Sequence, residues 1–271
     1  GILDLIIVLL FAGLIGARAL HVVADGYWDD YVNLCFDPSK VKGVELPSGR
    51  HCKDDEQCQK ANAGDFCEKE SGLCRQERDC LRAFKIWYGG LTYYGGLILA
   101  FFAGLWFVRR YKMPVWKIGD LAGFAIPLGL FFGRLGCFFG GCCFGRAAEC
   151  ALCHTFPKHS PAWDHHVELG MITKNAAASL PVYPAQLLES FASLLIGVFL
   201  YIFFQKRKKF DGQVFWLMVI LYSVMRFLVE FLRDDSRGEF LSLSTSQLLG
   251  IPMVAVALLM LKKLAIRSKG L

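Results

Sequence analysis

The stretch that decides the fold is IPLGLFFGRLGCFFGGCCFGR, residues 126–146. It is apolar enough to lie in a bilayer, yet Arg134 stands in its middle. An arginine at membrane depth costs roughly 2.5–3.5 kcal/mol even on lenient insertion scales, so it normally faces a cavity or an anionic partner. Arg134 is therefore a candidate functional residue. The alternative is a helix-packing face with one arginine whose side chain reaches back to the interface.

The same stretch is rich in glycine and cysteine. After Pro127, which predicts a kink, it contains Gly129, Gly133, Gly136, Gly140, Gly141, Cys137, Cys142 and Cys143. Clustered glycines allow close backbone approach, either of another helix or of a ligand.

The composition indicates a polytopic membrane protein. Of 271 residues, 55% are hydrophobic and 14% aromatic, and the mean hydropathy is +0.40. The formal charge of +6 comes from short basic clusters beside apolar runs, which are orientation signals and not a nucleic-acid surface. Six apolar runs are predicted to span the membrane: 2–23, 89–108, 118–139, 183–204, 212–232 and 246–261.

A polar segment separates the first two spans. It holds six of the 11 cysteines: Cys35, Cys52, Cys58, Cys67, Cys74 and Cys80. A segment this small and polar cannot build an adequate core, so the cysteines indicate a disulfide framework in an oxidising compartment. Six cysteines allow 15 pairings, and the sequence does not choose among them. Zinc is the alternative, although the spacing is not that of a zinc finger.

The predicted fold class is all-α, a polytopic transmembrane helical bundle with a small disulfide-rich extracytoplasmic insert. We expect a transmembrane helix at 1–23, the insert at 24–88, and a five-span bundle at 89–271 with an outer loop at 146–182. Basic clusters at 109–117, 205–211 and the C-terminus are expected in the cytoplasm. This orientation puts the insert in the periplasm of a bacterial inner membrane.

The fifth span carries a polar stripe. Tyr222, Arg226, Glu230 and Arg233 recur at helical spacing, so they face one way. Glu189, with Gln186 one turn earlier, supplies a second carboxylate in the fourth span. Arginines bind phosphate oxygens bidentately, so Arg134 with Arg226 or Arg233 is expected to hold a phospholipid head group. The alternative is a set of internal salt bridges that joins helices.

CALCH, residues 150–154, has the spacing of covalent c-type haem attachment. A second axial ligand is available from His159, His165, His166 or Met171. We favour the ordinary alternative, a disulfide to the neighbouring Cys142 or Cys143 that pins the loop, or free thiols, with another metal as a third possibility.

Several blocks together resemble one family. GGLTYYGG, GRLGCFFGGCCFGR, YPAQLLE, YSVMRFLVEFLRDD and STSQLLGIPM stand in the order and spacing of the prolipoprotein diacylglyceryl transferases, over residues 89–262, and GARAL extends the likeness to the first span. The resemblance implies transfer of diacylglyceryl from phosphatidylglycerol to a lipobox cysteine thiol, with release of glycerol phosphate. The implied catalytic residues are Tyr94, Arg134, Arg226 and Glu230. The implied substrate-binding residues are Arg18, Gly95, Gly96, Gln186, Glu189, Tyr222, Arg233 and Gln247.

The sequence departs from the family pattern at several positions. The family has a histidine where this chain has Tyr94, asparagines and a glutamate where it has Cys137, Gly140 and Cys142, and a histidine at Tyr183. We therefore expect phosphatidylglycerol or another anionic phospholipid as donor, and a protein thiol or other nucleophile as acceptor. Tyr94 or Glu230 is expected to assist deprotonation. No cofactor, metal or nucleic acid is expected. The alternative function is a non-catalytic phospholipid-binding or assembly factor whose insert recruits a partner.

Overall fold

The computed structural model describes residues 1–24, 28–36, 51–60, 66–69, 71–75, 80–84, 92–233, 239–240 and 243–269. It divides into two compact units, Gly1–Met113 and Pro114–Leu271. The predicted boundaries at 23/24 and 88/89 stay predictions.

The first unit contains two long helices and the described parts of the cysteine-rich insert. Its elements are α1 (Ile2–Ala24), α2 (Trp28–Phe36), α3 (Asp55–Lys60), β1 (Phe66–Glu68), β2 (Leu73–Arg75), a 3₁₀ helix (Cys80–Phe84) and α4 (Tyr93–Arg110). Strands β1 and β2 pair antiparallel, with Cys67 opposite Cys74.

Three disulfides close the insert. They join Cys35 to Cys80, Cys52 to Cys67 and Cys58 to Cys74. Cys58, Cys67 and Cys74 are buried together and form the small core of this segment. The prediction of a disulfide framework is confirmed, and the structure supplies the pairing that the sequence could not.

Glycines let α1 and α4 approach closely. A Cβ added at Gly95 would collide with the carbonyl of Gly16 and lie 2.5 Å from Leu20 Cβ, and one at Gly96 would lie 2.9 Å from the Gly13 oxygen. The Thr92 amide also donates to the Ala17 carbonyl at 3.0 Å. Small residues at such a crossing allow the backbones to pack directly, which is the main source of association between apolar helices in lipid.

The second unit is a four-helix bundle with a folded loop at residues 146–182. Its elements are α5 (Val115–Phe139), α6 (Pro161–Glu168), α7 (Ala185–Lys206), α8 (Gln213–Glu230), β3 (Glu239–Phe240), β4 (Leu243–Ser244) and α9 (Thr245–Lys269). Helix α5 packs on α7 and α8, and α8 packs on α9. Leu200, Val214, Met218, Val219 and Ala257 form its buried apolar core.

A buried carboxylate fixes the start of α8. Asp120 on α5 is fully buried and accepts hydrogen bonds from the amides of Gly212 at 2.8 Å, Val214 at 2.8 Å and Phe215 at 3.1 Å. The same carboxylate forms an ion pair with the ammonium of Lys208, 2.9 Å away. The first amides of a helix lack internal partners and carry partial positive charge, so this carboxylate joins α5 to the N-terminus of α8. No pattern in the sequence indicates this role for Asp120.

The loop at residues 146–182 has a buried core of its own and is more than a polar connection. Phe144, Phe156, Ala162 and Val182 form a second buried cluster. Backbone bridges pair His154 with Val182 and Pro157 with Ala178. The loop also contains α6, whose Ser160 hydroxyl accepts from the Trp163 amide. The expectation of a simple loop at 146–182 was incomplete, because its apolar residues are too widely spaced for sequence periodicity to show a core.

Among the described residues, five helices are long and apolar enough to cross a membrane: Ile2–Val23, Val115–Phe139, Ala185–Lys206, Gln213–Glu230 and Ser246–Lys269. The all-α class is confirmed. The predicted second span forms α4, but its 18 residues include Arg109 and Arg110, and it is not among the five. Its place in the membrane stays a prediction, and residues 89–91 lie outside the described part. Helix α5 is continuous through Pro127.

Candidate functional site

One buried carboxylate is the centre of the polar cluster in the second unit. The side chain of Glu189, on α7, is 1% exposed. Its Oε1 lies 2.9 Å from the Arg134 guanidinium of α5. Its Oε2 lies 3.6 Å from Arg233 and 3.9 Å from Arg226. Three arginines, one on α5 and two at the end of α8 and just after it, therefore converge on a single carboxylate.

Arg226 is held by a second set of contacts. Its Nη2 lies 2.6 Å from Glu230 Oε2, one helical turn further along α8, and donates to the Ser246 hydroxyl at 3.3 Å. Three guanidinia and two carboxylates leave one net positive charge in the cluster. Because the side chains are nearly buried, this charge is weakly screened and favours an anion. The contact of Ser246, inside the STSQLLG block, was missed by sequence reasoning.

Arg233 reaches the cluster by a different route from the one predicted. Helix α8 ends at Glu230, so Arg233 does not lie on the same helical stripe as Tyr222 and Arg226. A backbone bridge between Arg233 and Gly145 holds it instead, with the Arg146 side chain donating to the Arg233 carbonyl at 3.3 Å. The turn after α8 therefore brings Arg233 back toward Glu189, and the helical-spacing argument for this residue was wrong even though the residue is in place.

The other predicted residues of this unit lie around the cluster. Gln186 is fully buried, and its amide donates to the Cys142 carbonyl at 2.8 Å. Gln247 accepts from the Ser244 amide at 3.0 Å and donates to the Phe227 carbonyl at 3.4 Å, which ties the start of α9 to α8. Tyr222 lies half-buried on α8, one turn before Arg226. Their roles as substrate-binding residues stay predictions.

Three free thiols lie next to the arginines. Cys137 is in the last turn of α5, and Cys142 and Cys143 follow in the turn after it. Their three sulfur atoms are within 4.8 Å of one another. The Cys142 thiol donates a hydrogen bond that lowers the pKa of Cys143 to about 4, burial opposes this shift, and Arg233 and Arg134 reinforce it. The same hydrogen bond, together with burial, raises the pKa of Cys142.

One face of α5 is open. Cβ atoms added at Gly129, Gly133 and Gly136 would meet nothing within 4 Å in the described parts of the chain. Their spacing of four and three residues places them on one helical face. By contrast, a Cβ at Gly123 would lie 3.0 Å from the Phe215 backbone. Helix packing within the described residues explains Gly123 but not these three glycines.

The predicted residues of the first unit occupy helix-packing or surface positions there. Gly95 and Gly96 lie at the crossing of α1 and α4. Tyr94 is 58% exposed, and Arg18 is buried with its guanidinium 5.2 Å from the Tyr31 ring centre. The catalytic role of Tyr94 and the binding of substrate by Arg18, Gly95 and Gly96 stay predictions.

CALCH forms a disulfide. Cys150 and Cys153 are bonded to each other, so these two sulfurs are not available for haem attachment in this state. The His154 ring packs against Phe138 and Phe156, with centroids 5.2 and 5.4 Å apart. A disulfide in this loop was the favoured prediction, but its expected partners, Cys142 and Cys143, were wrong, because the bond joins the two cysteines of the motif.

A sequence model of the prolipoprotein diacylglyceryl transferase family matches residues 74–262. The chain belongs to this family. The match contains Arg134, Glu189, Arg226, Glu230 and Arg233, so the whole arginine cluster lies in the family's domain. It begins inside the predicted insert and leaves Arg18 outside.

Relatives carry the same name. A phosphatidylglycerol–prolipoprotein diacylglyceryl transferase of Xylella fastidiosa (strain M23) is 31% identical over 66% of this chain and 64% of its own length. One from Proteus mirabilis (strain HI4320) is 33% identical over 66% of this chain and 63% of its own length. One from Idiomarina loihiensis is 32% identical over 67% of this chain and 62% of its own length. The chain thus spans somewhat under two thirds of these relatives. The five apolar helices and the family make it a multi-pass inner-membrane protein.

Proposed function

We propose that this protein transfers the diacylglyceryl group of phosphatidylglycerol to a cysteine thiol of a protein. The observation that carries the proposal is the convergence of Arg134, Arg226 and Arg233 on Glu189, inside the part of the chain that matches the family. Relatives that are named for this reaction support the choice of donor and acceptor.

The arginine cluster suits a phosphate whose charge grows during the reaction. A guanidinium donates two parallel hydrogen bonds to phosphate oxygens, and donors that are already in place pay little reorganisation when the charge develops. Glu189 and Glu230 hold the guanidinia in position, and Glu230 acts through Arg226, 2.6 Å away. Arg134 is the most accessible of the three arginines, at 15% exposed, so we assign it the first contact with the phosphate.

The transfer is a displacement at carbon. The acceptor sulfur attacks the diacylglyceryl carbon that carries the phosphate ester, a C–S bond forms, and the C–O bond breaks. The electron pair of that bond leaves with glycerol phosphate, which the arginines stabilise. The thiol proton is released to solvent before the attack, since the thiolate is the nucleophile. Tyr94 and Glu230 were the predicted bases, and Glu230 is occupied by Arg226.

The open glycine face of α5 extends this site toward the lipid. Gly129 and Gly133 lie on the helix that carries Arg134, where side chains would otherwise fill the surface. We propose that an acyl chain of the donor lies along this face while its phosphate contacts Arg134.

The test is direct. The purified full chain is incubated with phosphatidylglycerol labelled in its glycerol head group and with a lipobox peptide. We expect release of labelled glycerol phosphate and a peptide mass increased by one diacylglyceryl group. Phospholipid binding without either product would favour the alternative of a non-catalytic lipid-binding or assembly factor. No specific lipid binding would contradict both.

We also propose the periplasm for the insert and for the 146–182 loop, because the basic clusters lie on the alternate connections. An impermeant maleimide applied to intact cells should label a cysteine introduced at exposed Glu168 and spare one at exposed Lys206. Unsubstituted protein reports the background from Cys137, Cys142 and Cys143. Labelling at Lys206 alone would reverse the orientation.

A further inference from the structure

The three thiols beside the arginines form a cluster that the transfer reaction, as described above, does not use. The sulfurs of Cys137, Cys142 and Cys143 lie within 4.8 Å of one another, and none of the three is in a disulfide. Three other cysteines, Cys52, Cys58 and Cys67, are equally close, but each is closed in a disulfide. Of the two groups of three close cysteines in the described parts of the chain, only Cys137, Cys142 and Cys143 therefore have thiols that can bind a metal.

The backbone holds these thiols together. The Cys142 amide donates to the Cys137 carbonyl at 3.1 Å, and the Cys142 carbonyl accepts from buried Gln186 at 2.8 Å. Gly141 and Cys143 both have left-handed backbone, with φ of 66° and 60°. This conformation costs a non-glycine residue roughly 1–2 kcal/mol. Cys143 adopts it where the turn brings its sulfur back toward the other two, and strain of this kind is concentrated at binding sites.

The spacing fits a soft metal ion. Zinc binds thiolates at about 2.3 Å in tetrahedral geometry, so its sulfur ligands lie about 3.8 Å apart. Contraction of the cluster by at most about 1 Å would reach this distance, which side-chain rotation can supply. Three protein ligands leave the fourth position open, and that is the arrangement of catalytic zinc sites.

We propose that Cys137, Cys142 and Cys143 bind a zinc ion whose open fourth position takes the acceptor thiol. The inference rests on the proposed transferase function and adds to it the means of activating the acceptor. It replaces the expectation that the reaction involves no metal. It also gives a role to two departures from the family pattern, since Cys137 and Cys142 stand where the family has an asparagine and a glutamate.

The chemistry balances without a redox partner. The acceptor thiol loses its proton to solvent when its sulfur binds zinc, because a coordinated thiol is deprotonated. The zinc-bound sulfur then attacks the diacylglyceryl carbon, the C–S bond forms, and the C–O electron pair leaves with glycerol phosphate. The thioether product is neutral, binds zinc weakly and dissociates. Zinc stays divalent throughout.

The neighbouring charges favour the complex. Zinc with three thiolates carries one negative charge, and a fourth thiolate makes two. Arg233 and Arg134, which both interact with Cys143, offset part of this charge. The same arginines are assigned to the phosphate, so the nucleophile and the leaving group would meet at one cluster.

Metal binding is tested with cobalt, which reports thiolate ligands by colour. Full-length protein is purified without reductant, so that its four disulfides stay closed, and is titrated with Co²⁺ and then Zn²⁺. We expect one Co²⁺ per chain with a thiolate charge-transfer band, and displacement by one Zn²⁺. Cys137→Ser, Cys142→Ser and Cys143→Ser should each lose the band, whereas the double variant Cys150→Ser/Cys153→Ser should keep it. Serine at 142 keeps the backbone contacts to Gln186, and thermal unfolding checks that each variant is folded.

Acceptor binding is tested on the cobalt-loaded protein. A lipobox peptide with a free cysteine should change the cobalt spectrum, and the matched peptide with serine should not. The proposal is overturned if the three thiols prove to be oxidised, if no metal binds, if the serine variants bind it equally, or if Cu⁺ is held with no tetrahedral Co²⁺ spectrum. An unchanged spectrum with the cysteine peptide also overturns it.

Transfer assays separate this inference from the proposed function. If metal-stripped protein transfers the group from phosphatidylglycerol at the rate of the zinc-loaded form, the proposed function is supported and the zinc inference is wrong. A cobalt spectrum that responds to the cysteine peptide, with no transfer from any phospholipid, would support the thiol-binding metal site and refute the transferase.

Discussion

Arg134 on α5 and Glu189 on α7 form an ion pair of 2.9 Å within the helical bundle of the second unit. This pair brings together two interpretations that the sequence left open, a phosphate clamp and an internal salt bridge. Glu189 neutralises part of the charge of three arginines, and so lets them lie close together. The surplus positive charge already stabilises the thiolate of Cys143, so the salt bridges do not exclude an anion beside the arginines.

The first prediction concerns Glu189. Glu189→Ala leaves three guanidinia without their shared carboxylate, so we expect unfolding to become easier by about 3–5 kcal/mol. Glu189→Gln keeps the shape and one oxygen acceptor, and should cost less. Thermal and denaturant unfolding in detergent micelles measures both. Glu168→Gln, at an exposed position on α6, is the control and should change stability little. Wild-type stability of Glu189→Ala would mean that the arginines do not depend on this carboxylate.

The second prediction concerns the guanidinia. Arg134→Ala and Arg226→Ala remove bonds that strengthen as the phosphate leaves, so kcat/KM for phosphatidylglycerol should fall by on the order of a hundredfold or more. Lysine keeps the charge but lacks the planar fork, and should restore activity only in part. Arg207→Ala, at an exposed position after α7, is the matched control. If both alanine variants fold normally and turn over at the wild-type rate, the arginine cluster is structural.

Periodicity and composition were sufficient for the parts of this site that lie on one helix. Tyr222, Arg226 and Glu230 are on one helix, α8, as their spacing predicted. Arg134 could be selected because an arginine in an apolar run is costly. The central position of Glu189 could not, since it depends on how α5, α7 and the turn after α8 pack. Arg233 shows the same limit, because a backbone bridge to Gly145 positions it and no helical spacing encodes that bridge.

Other features also depend on tertiary contacts. In the sequence, Asp120 is a single charge within an apolar span. Its role could not be predicted because its partners are amides more than 90 residues later in the chain. The disulfide framework was predictable from composition, but choosing one of its 15 pairings needs coordinates. Helix α9 continues to Lys269, past the predicted end at 261, because its basic residues are good helix formers and suit a helix C-terminus.

The third prediction concerns the open face of α5. Gly133→Ala removes a flexible residue from a helix and meets no neighbour among the described residues, so stability should be unchanged or increase by up to about 1 kcal/mol. If an acyl chain lies there, Gly133→Leu should raise KM for phosphatidylglycerol while the protein stays folded. Gly123→Ala is the contrasting variant, since its Cβ would press on the Phe215 backbone, and it should lower stability. Normal lipid kinetics of Gly133→Leu would remove this face from the proposed site.

The last prediction concerns Asp120 and Lys208, which lie away from the arginine cluster. Asp120→Asn replaces one carboxylate oxygen by an amide that cannot accept hydrogen bonds, so at least one amide at the start of α8 loses its acceptor. We expect a loss of about 1–3 kcal/mol in the free energy of unfolding. Lys208→Met removes the cation and leaves the amide contacts to Asp120 in place, so its cost should be smaller. Denaturant unfolding at neutral pH measures both variants.

The pair also predicts a pH dependence. Burial lowers the pKa of Lys208, but hydrogen bonds and charge from Asp211 and Asp120 outweigh burial and raise it. A lysine pKa raised on folding stabilises the protein fully below its unfolded value, near 10.4, and the contribution is lost as the pH rises through the folded value. The stability difference between wild type and Lys208→Met should therefore be constant from neutral pH to about pH 10 and shrink above it. A difference that persists unchanged in stronger alkali would show that Lys208 acts through packing on Phe204, 5.1 Å from its ammonium, and not through its charge.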